Sequence, residues 1–162
     1  MSSTVPLPVP GPSHSAPGVV LDTNVVLDWL VFRHPCTVPL DAALRSGRVR
    51  WVASASMRDE LAHVLGRGVC KAWAPDPIAI WSTWDLLVHP TEPMALLGAA
   101  TRVRCTDADD QKFVDLALSH RVRWLLTRDR AVLKLGRKAG SLGVDVLTPE
   151  RWIANFKDGS SP

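Results

Sequence analysis

The chain has 162 residues, of which 46% are hydrophobic and 22% are charged, and its formal net charge is +3. This length is enough for one domain with a sizeable core, and no apolar run approaches the length of a membrane span, so the composition argues against a disordered chain and against a membrane protein. The small positive charge is compatible with a nucleic-acid partner but does not indicate one.

The spacing of the cysteines and histidines argues against a zinc site that could be recognised from the sequence. The three cysteines are widely spaced, and neither they nor the five histidines show the spacing of a zinc site. We therefore expect reduced thiols in a cytoplasmic protein. Residues 1–17 contain five prolines and lack the apolar segment of a signal peptide, which predicts a disordered arm.

The first structural signal is the run Val19–Leu21, which predicts a strand buried on both faces. A helical pattern over residues 25–32 follows, with Asp22, Thr23 and Asn24 between the two. Asp22 is thus expected at the carboxyl end of a central strand, where ligands bind in open α/β sheets. Helix capping by these three polar residues is the non-functional alternative.

The next elements are a short helix at 41–46, a strand at 48–53 and a helix at 54–66, for which Ser56 and Asp59 resemble a capping pair. On a helical wheel Glu60 lies beside the apolar stripe of this helix, whereas Asp59 points almost opposite to it. A carboxylate next to a core face needs a partner, and Asp59 can simply be solvated.

A helix and then a strand at 86–88 are predicted over residues 75–88, with a short helix or loop at 94–101. An acidic segment, residues 107–110, then precedes a helix whose apolar stripe includes Phe113 and Val114. Asp110 falls on that stripe and Asp109 lies well away from it. Capping and the helix dipole account for acids in a first turn, but not for one that faces the core.

The last third predicts a strand at 122–126, a basic helix at 130–142, a strand at 144–147 and a helix at 149–156, with a tail at 157–162. Thr127 and Asp129 come directly after the first of these strands. Alternating strands and helices favour a parallel sheet with helices on both faces, in one domain at 18–156.

Four acids are therefore expected near the sheet edge or on core-side helix faces: Asp22, Glu60, Asp110 and Asp129. Such carboxylates repel one another unless a cation balances them, and Mg²⁺ and Mn²⁺ prefer oxygen ligands. These ions activate water for phosphodiester cleavage.

At these positions the chain resembles the PIN-domain family, and within it the branch of toxin components of bacterial type II toxin–antitoxin systems. The resemblance covers residues 18–156 and rests on four segments: Leu21–Val25, Glu60–Leu61, Asp107–Phe113 and Leu126–Asp129. It implies a flavodoxin-like α/β/α sandwich with about five parallel strands, and a metal-dependent endoribonuclease that cleaves RNA by metal-activated water.

The resemblance also implies roles for individual residues. Asp22, Glu60, Asp110 and Asp129 match the catalytic carboxylates that bind Mg²⁺ or Mn²⁺, and Asp107 matches a further acidic site. Asn24 matches the usual polar neighbour of these acids, and Thr127, in the matching segment Leu126–Asp129, is expected to support the site. The charges of Lys134, Arg137 and Lys138 make them candidates for RNA contact, with a solvated helix face as the alternative.

One position departs from the family pattern, because Gln111 stands where many members have an acid. Either Asp110 supplies the ligand, or the metal site is weak. A weak site would favour the alternative function, a catalytically silent PIN-fold module that binds an antitoxin or RNA. The family also implies a homodimer and an antitoxin partner. A receiver or phosphotransferase domain is a third reading, but Asn24 replaces the second Asp of an Asp-x-Asp motif, and no glycine-rich phosphate loop occurs.

Overall fold

The structure is a computed structural model, and it describes residues 16–158. A single five-stranded parallel sheet forms the centre of the described chain, with strand order β3-β2-β1-β4-β5. The strands are β1 (Gly18–Leu21), β2 (Arg50–Ala53), β3 (Val88–Pro90), β4 (Trp124–Leu126) and β5 (Asp145–Leu147). This sheet, flanked by helices, confirms the predicted α/β/α sandwich.

The α-helices that flank the sheet are α1 (Thr23–Leu30), α2 (Val38–Arg45), α3 (Ala55–Gly66), α4 (Pro77–Leu87), α5 (Gln111–Ser119), α6 (Arg130–Leu133), α7 (Gly136–Ser141) and α8 (Pro149–Asp158). Helix α5 packs on β1 and β4, whereas α1 packs on β1 and α3. Crossovers between parallel strands are right-handed as a rule, which with this strand order would place the helices after β1 and β2 on one face and those before β4 and β5 on the other. None of the helices within residues 16–158 is both long and apolar enough to cross a bilayer.

Burial explains why β1 lies at the centre of the sheet. All four of its residues are buried, as its unbroken apolar sequence predicts. Trp51 on β2 is fully buried and makes edge-to-face contacts with Trp29 and Trp84. At Gly18 a Cβ atom would lie 3.1 Å from a methyl group of Val122, so the close approach of these two segments favours glycine.

Several predicted boundaries were wrong for local reasons. The short helix expected at 41–46 begins earlier, at Val38, because Pro39 lies in the first turn of α2, where the missing amide hydrogen of proline costs no hydrogen bond. Helix α3 begins after Ser54, so the predicted Ser56–Asp59 capping pair does not form. The carboxylate of Glu92 accepts from the amide of Ala55 instead, at 3.0 Å.

Two further predictions need correction. The strand expected at residues 86–88 begins only at Val88, because α4 continues to Leu87. The basic helix expected at 130–142 is divided into α6 and α7 at residues 134–135. Most of the predicted arm at 1–17 lies outside the described residues, as do residues 159–162, and α8 continues two residues into the predicted tail.

Candidate active site

The acidic residues meet at the place where the strand order of the sheet reverses. Strand β1 lies between β2 and β4, so the chain runs outward from β1 first to one side and then to the other. The Asp22 amide donates to the Leu126 carbonyl at 2.9 Å, which fixes the carboxyl ends of β1 and β4 side by side. Ligands of open α/β sheets bind at such a switch point.

Asp22 is buried, with only 3% of its surface exposed. Its carboxylate makes no capping hydrogen bond of standard geometry to α1, so capping alone does not describe it. Burial raises the pKa of Asp22, and the nearby negative charges of Glu60 and Asp129 add to the increase. The Thr127 hydroxyl and the Asn24 backbone amide act in the opposite direction.

Thr127 connects two of the acids through one buried hydroxyl. Its Oγ1 atom donates to Oδ2 of Asp22 at 2.7 Å and accepts from the backbone amide of Asp129 at 3.0 Å. Asp129 itself caps α6, accepting from the Ala131 amide at 2.7 Å through Oδ1. Thr127 therefore orients the Asp22 carboxylate and the turn that carries Asp129.

Asp107, Asp110 and Asp129 form a compact carboxylate group. One oxygen from each lies within 4.8 Å of the others. A short 3₁₀ turn, Ala108–Asp110, precedes α5. Asp107 caps this turn, because its Oδ1 atom accepts a hydrogen bond from the Asp109 amide, and Asp110 is the last residue of the turn. Asp22 and Glu60 lie outside this group of three, although the Asp22 carboxylate acts electrostatically on Asp110.

Asp110 is the most perturbed acid of the site. Its pKa is raised to about 7, and burial is the largest cause. A hydrogen bond between the carboxyl groups of Asp110 and Asp129, which requires a proton, raises the pKa further, and so do the charges of Asp22, Asp129 and Asp107. The Oδ2 atom of Asp110 is buried and has no hydrogen-bond partner among the described residues. The burial of Asp110 and its acidic neighbours thus favour its neutral form.

Glu60 projects from α3 and is held by two hydrogen bonds. The Lys112 ammonium donates to Oε1 at 2.6 Å, and the Thr23 hydroxyl donates to Oε2. Both carboxylate oxygens are thus engaged, and Lys112 already balances the charge. Glu60 lies close enough to Asp22 to raise its pKa, but it is not part of the compact carboxylate group.

The donor set fits a hard divalent cation. All of the available ligand atoms are carboxylate oxygens, which Mg²⁺ and Mn²⁺ prefer. The buried and unpaired Oδ2 of Asp110 is an acceptor that a cation would satisfy. Burial first, and then the neighbouring carboxylates, raise the pKa values of Asp22 and Asp110, and a bound cation would favour the ionised forms of both.

Residues 18–131 match the PIN-domain family over more than half of the chain. The chain belongs to the PIN-domain family. No individual curated protein matches it. PIN domains are generally nucleases that use divalent metals, so this chain has a nuclease-type fold, and nucleic acid is the class of substrate to which the family points.

Within this PIN domain the acids predicted to lie outside the site are indeed exposed. Asp59 and Asp109 both face solvent, whereas Glu60 and Asp110 are half-buried. The side chain of Asn24, predicted to support the site, is exposed. The predicted RNA-contacting residues Lys134, Arg137 and Lys138 are exposed as well, on α7 and the segment before it.

Gln111 does not take a ligand position in this PIN domain. Its Oε1 atom accepts from the Cys105 amide at 2.7 Å, and its Nε2 atom donates to the Val103 carbonyl at 3.0 Å and to Asp115 at 2.8 Å. The side chain attaches the preceding loop to α5, so the acid expected here by family comparison is replaced by a structural residue. Sequence reasoning missed this role and also the contact between Lys112 and Glu60.

Proposed function

We propose that this PIN domain is a Mg²⁺- or Mn²⁺-dependent endoribonuclease. The observation that carries the proposal is the carboxylate group at the switch point, where Asp110 keeps a buried oxygen without a hydrogen-bond partner. A stable fold gains nothing from carboxylates that repel one another in this way, whereas a metal-dependent nuclease needs them.

The residues of the site take different roles in this proposal. Asp107, Asp110 and Asp129 hold the cation, and Asp22, which lies outside this group of three but acts electrostatically on Asp110, is a further ligand. Thr127 is a positioning residue, because its single hydroxyl contacts Asp22 and the backbone of Asp129.

A bound Mg²⁺ or Mn²⁺ would lower the pKa of a water molecule and would stabilise the negative charge on the leaving oxygen. The protein contributes a rigid arrangement of acceptors at the sheet edge, which avoids reorganisation during the reaction. Lys112 keeps Glu60 in place, and the pair presents an ammonium group beside a site that receives a phosphate anion.

The proposal also covers the RNA substrate and the protein partners. Exposed Lys134, Arg137 and Lys138 provide positive charge for an RNA backbone. The resemblance to toxin components supports a role as the toxin of a toxin–antitoxin pair, with an antitoxin partner, a homodimeric state and a cytoplasmic location as parts of the proposal.

We expect purified protein with Mn²⁺ to cut single-stranded RNA and to leave 3′-hydroxyl and 5′-phosphate ends. Attack by water with departure of the 3′-oxygen gives these ends, whereas attack by the ribose 2′-hydroxyl gives a cyclic phosphate. End-labelled RNA, analysed with and without a chelator, measures both the cutting and its products.

The matched control is Asp22→Asn, which keeps the shape of the side chain and removes its charge. Cutting that survives the chelator or this substitution would contradict the proposal. Binding of RNA or of a partner protein without any cutting would favour the silent PIN-fold module instead.

A further inference from the structure

A second group of ligand-type side chains lies outside the carboxylate site. It joins His34 and Cys36, in the turn between α1 and α2, to Glu150 in the first turn of α8. A ring nitrogen, the thiol sulphur and a carboxylate oxygen from these residues lie within 4.8 Å of one another. The spacing of the sequence did not reveal this group, because Glu150 is 114 positions away from Cys36 along the chain.

Arg128 orients two of the three side chains. Its guanidinium donates to Sγ of Cys36 at 3.2 Å and to the two carboxylate oxygens of Glu150 at 2.7 and 3.2 Å. The same guanidinium also pairs with Asp28. Metal-binding thiolates and carboxylates are commonly held by such outer hydrogen bonds, which fix their orientation before the ion arrives.

The charge of the group favours a divalent cation that binds a thiolate. Asp28 and Glu150 carry two negative charges against the single positive charge of Arg128, so one negative charge is in excess. A cation that displaces the thiol proton would bring two positive charges and create one negative charge, and the group would then be balanced.

His34 is suited to a ligand role. Its Nδ1 atom accepts a long hydrogen bond, 3.2 Å, from the Cys36 amide, and a cation bound at Nδ1 would replace this weak bond. The side chain is exposed and can adjust without disturbing the core. Mixed nitrogen, sulphur and oxygen ligands are typical of Zn²⁺ and disfavour Mg²⁺, which prefers oxygen alone.

We propose that His34, Cys36 and Glu150 form a second metal site that binds Zn²⁺ or a similar thiolate-binding cation, with solvent completing the coordination. This site differs in ligand chemistry from the carboxylate group at the switch point. It does not depend on the proposed nuclease activity.

The test uses Co²⁺, whose bond to a thiolate produces a charge-transfer absorption in the near ultraviolet. The full chain, reduced with a phosphine and freed of metal, should develop this absorption and saturate at one equivalent of Co²⁺. An equal amount of Zn²⁺ should abolish the absorption, and a large excess of Mg²⁺ should not.

Substitutions locate the site. Cys36→Ser should remove the absorption, and His34→Ala and Glu150→Gln should each weaken Co²⁺ binding by about 10-fold or more. Cys105→Ser and Asp110→Asn are the matched controls, because Cys105 lies next to the carboxylate group, and both variants should retain the absorption. Absence of the band in the wild-type chain, or its persistence in Cys36→Ser, would overturn the proposal. Its loss in Cys105→Ser would place the thiolate ligand elsewhere and would overturn it equally.

Discussion

Asp110→Asn is expected to reduce Mn²⁺-dependent RNA cleavage by about 100-fold or more, whereas Asp109→Asn should leave it close to wild type. The two residues are adjacent in the 3₁₀ turn, but they point in different directions. Asp110 lies with Asp107 and Asp129 in the carboxylate group, and Asp109 faces solvent. Only the first substitution removes an acceptor from the cation.

Initial cleavage rates of the two variants, measured at saturating Mn²⁺ on one labelled RNA, test this expectation. Asp109→Asn is a demanding control because it changes the net charge by the same amount and in the same turn. Equal losses in both variants would mean that general charge, and not a specific ligand, controls the rate. A loss confined to Asp109→Asn would mean that the site has been assigned to the wrong residue.

Glu60→Gln is expected to cost about 100-fold in cleavage, and Asp59→Asn should cost almost nothing. Glu60 accepts hydrogen bonds from Thr23 and Lys112, and the glutamine variant loses the charge that holds the ammonium group. Lys112 would then be free to move towards the remaining carboxylates and compete with the cation. Asp59 is exposed and has no comparable contact within residues 16–158.

The dependence of the cleavage rate on Mn²⁺ concentration distinguishes two roles for Glu60. If Glu60 acts by restraining Lys112, Glu60→Gln should require more Mn²⁺, and the double variant with Lys112→Met should recover part of that affinity. If Glu60 is itself a ligand, the double variant should recover nothing. A Glu60→Gln variant with wild-type rates at all Mn²⁺ concentrations would remove Glu60 from the site.

The positions at strand ends could be predicted because they depend on local signals. The apolar run before Asp22 ends at a polar residue, and so does the run before Thr127, which identifies two buried strands and their carboxyl ends. Parallel pairing of these strands then brings Asp22 close to Asp129. Nothing beyond local periodicity and the geometry of parallel sheets was needed for this part of the site.

The prediction that Asp110 faces the sheet edge rested on a helical wheel, and the structure matches that wheel only in part. The helical wheel placed Asp109 and Asp110 on the same α-helix as Phe113 and Val114, but α5 begins at Gln111 and Asp110 belongs to a 3₁₀ turn. A single residue at the boundary is rotated little by this difference, so Asp110 still faces the sheet edge and Asp109 still faces solvent.

Contacts between distant segments could not be predicted from periodicity. Lys112 and Glu60 are 52 positions apart, and the pair exists only because α5 and α3 meet above the carboxyl ends of the strands. The hydrogen bonds of Gln111 to the preceding loop depend in the same way on the path of that loop. Family comparison marked Gln111 as a departure but could not reveal its structural role.

The most direct test of the metal centre is the melting temperature of the wild-type chain and of Asp110→Asn, each with and without Mn²⁺ at pH 8. Because the pKa of Asp110 in the folded state is raised to about 7, its ionised form destabilises the metal-free fold, and this cost grows as the pH rises from about 4 to about 7. Asp110→Asn should therefore melt at a higher temperature than the wild type when no metal is present. At 100 times its dissociation constant, Mn²⁺ should raise the wild-type melting temperature by roughly 5–10 °C and that of Asp110→Asn by much less. A wild-type melting curve that does not move with Mn²⁺, or an equal increase in both proteins, would contradict a metal centre at Asp22, Asp110 and Asp129.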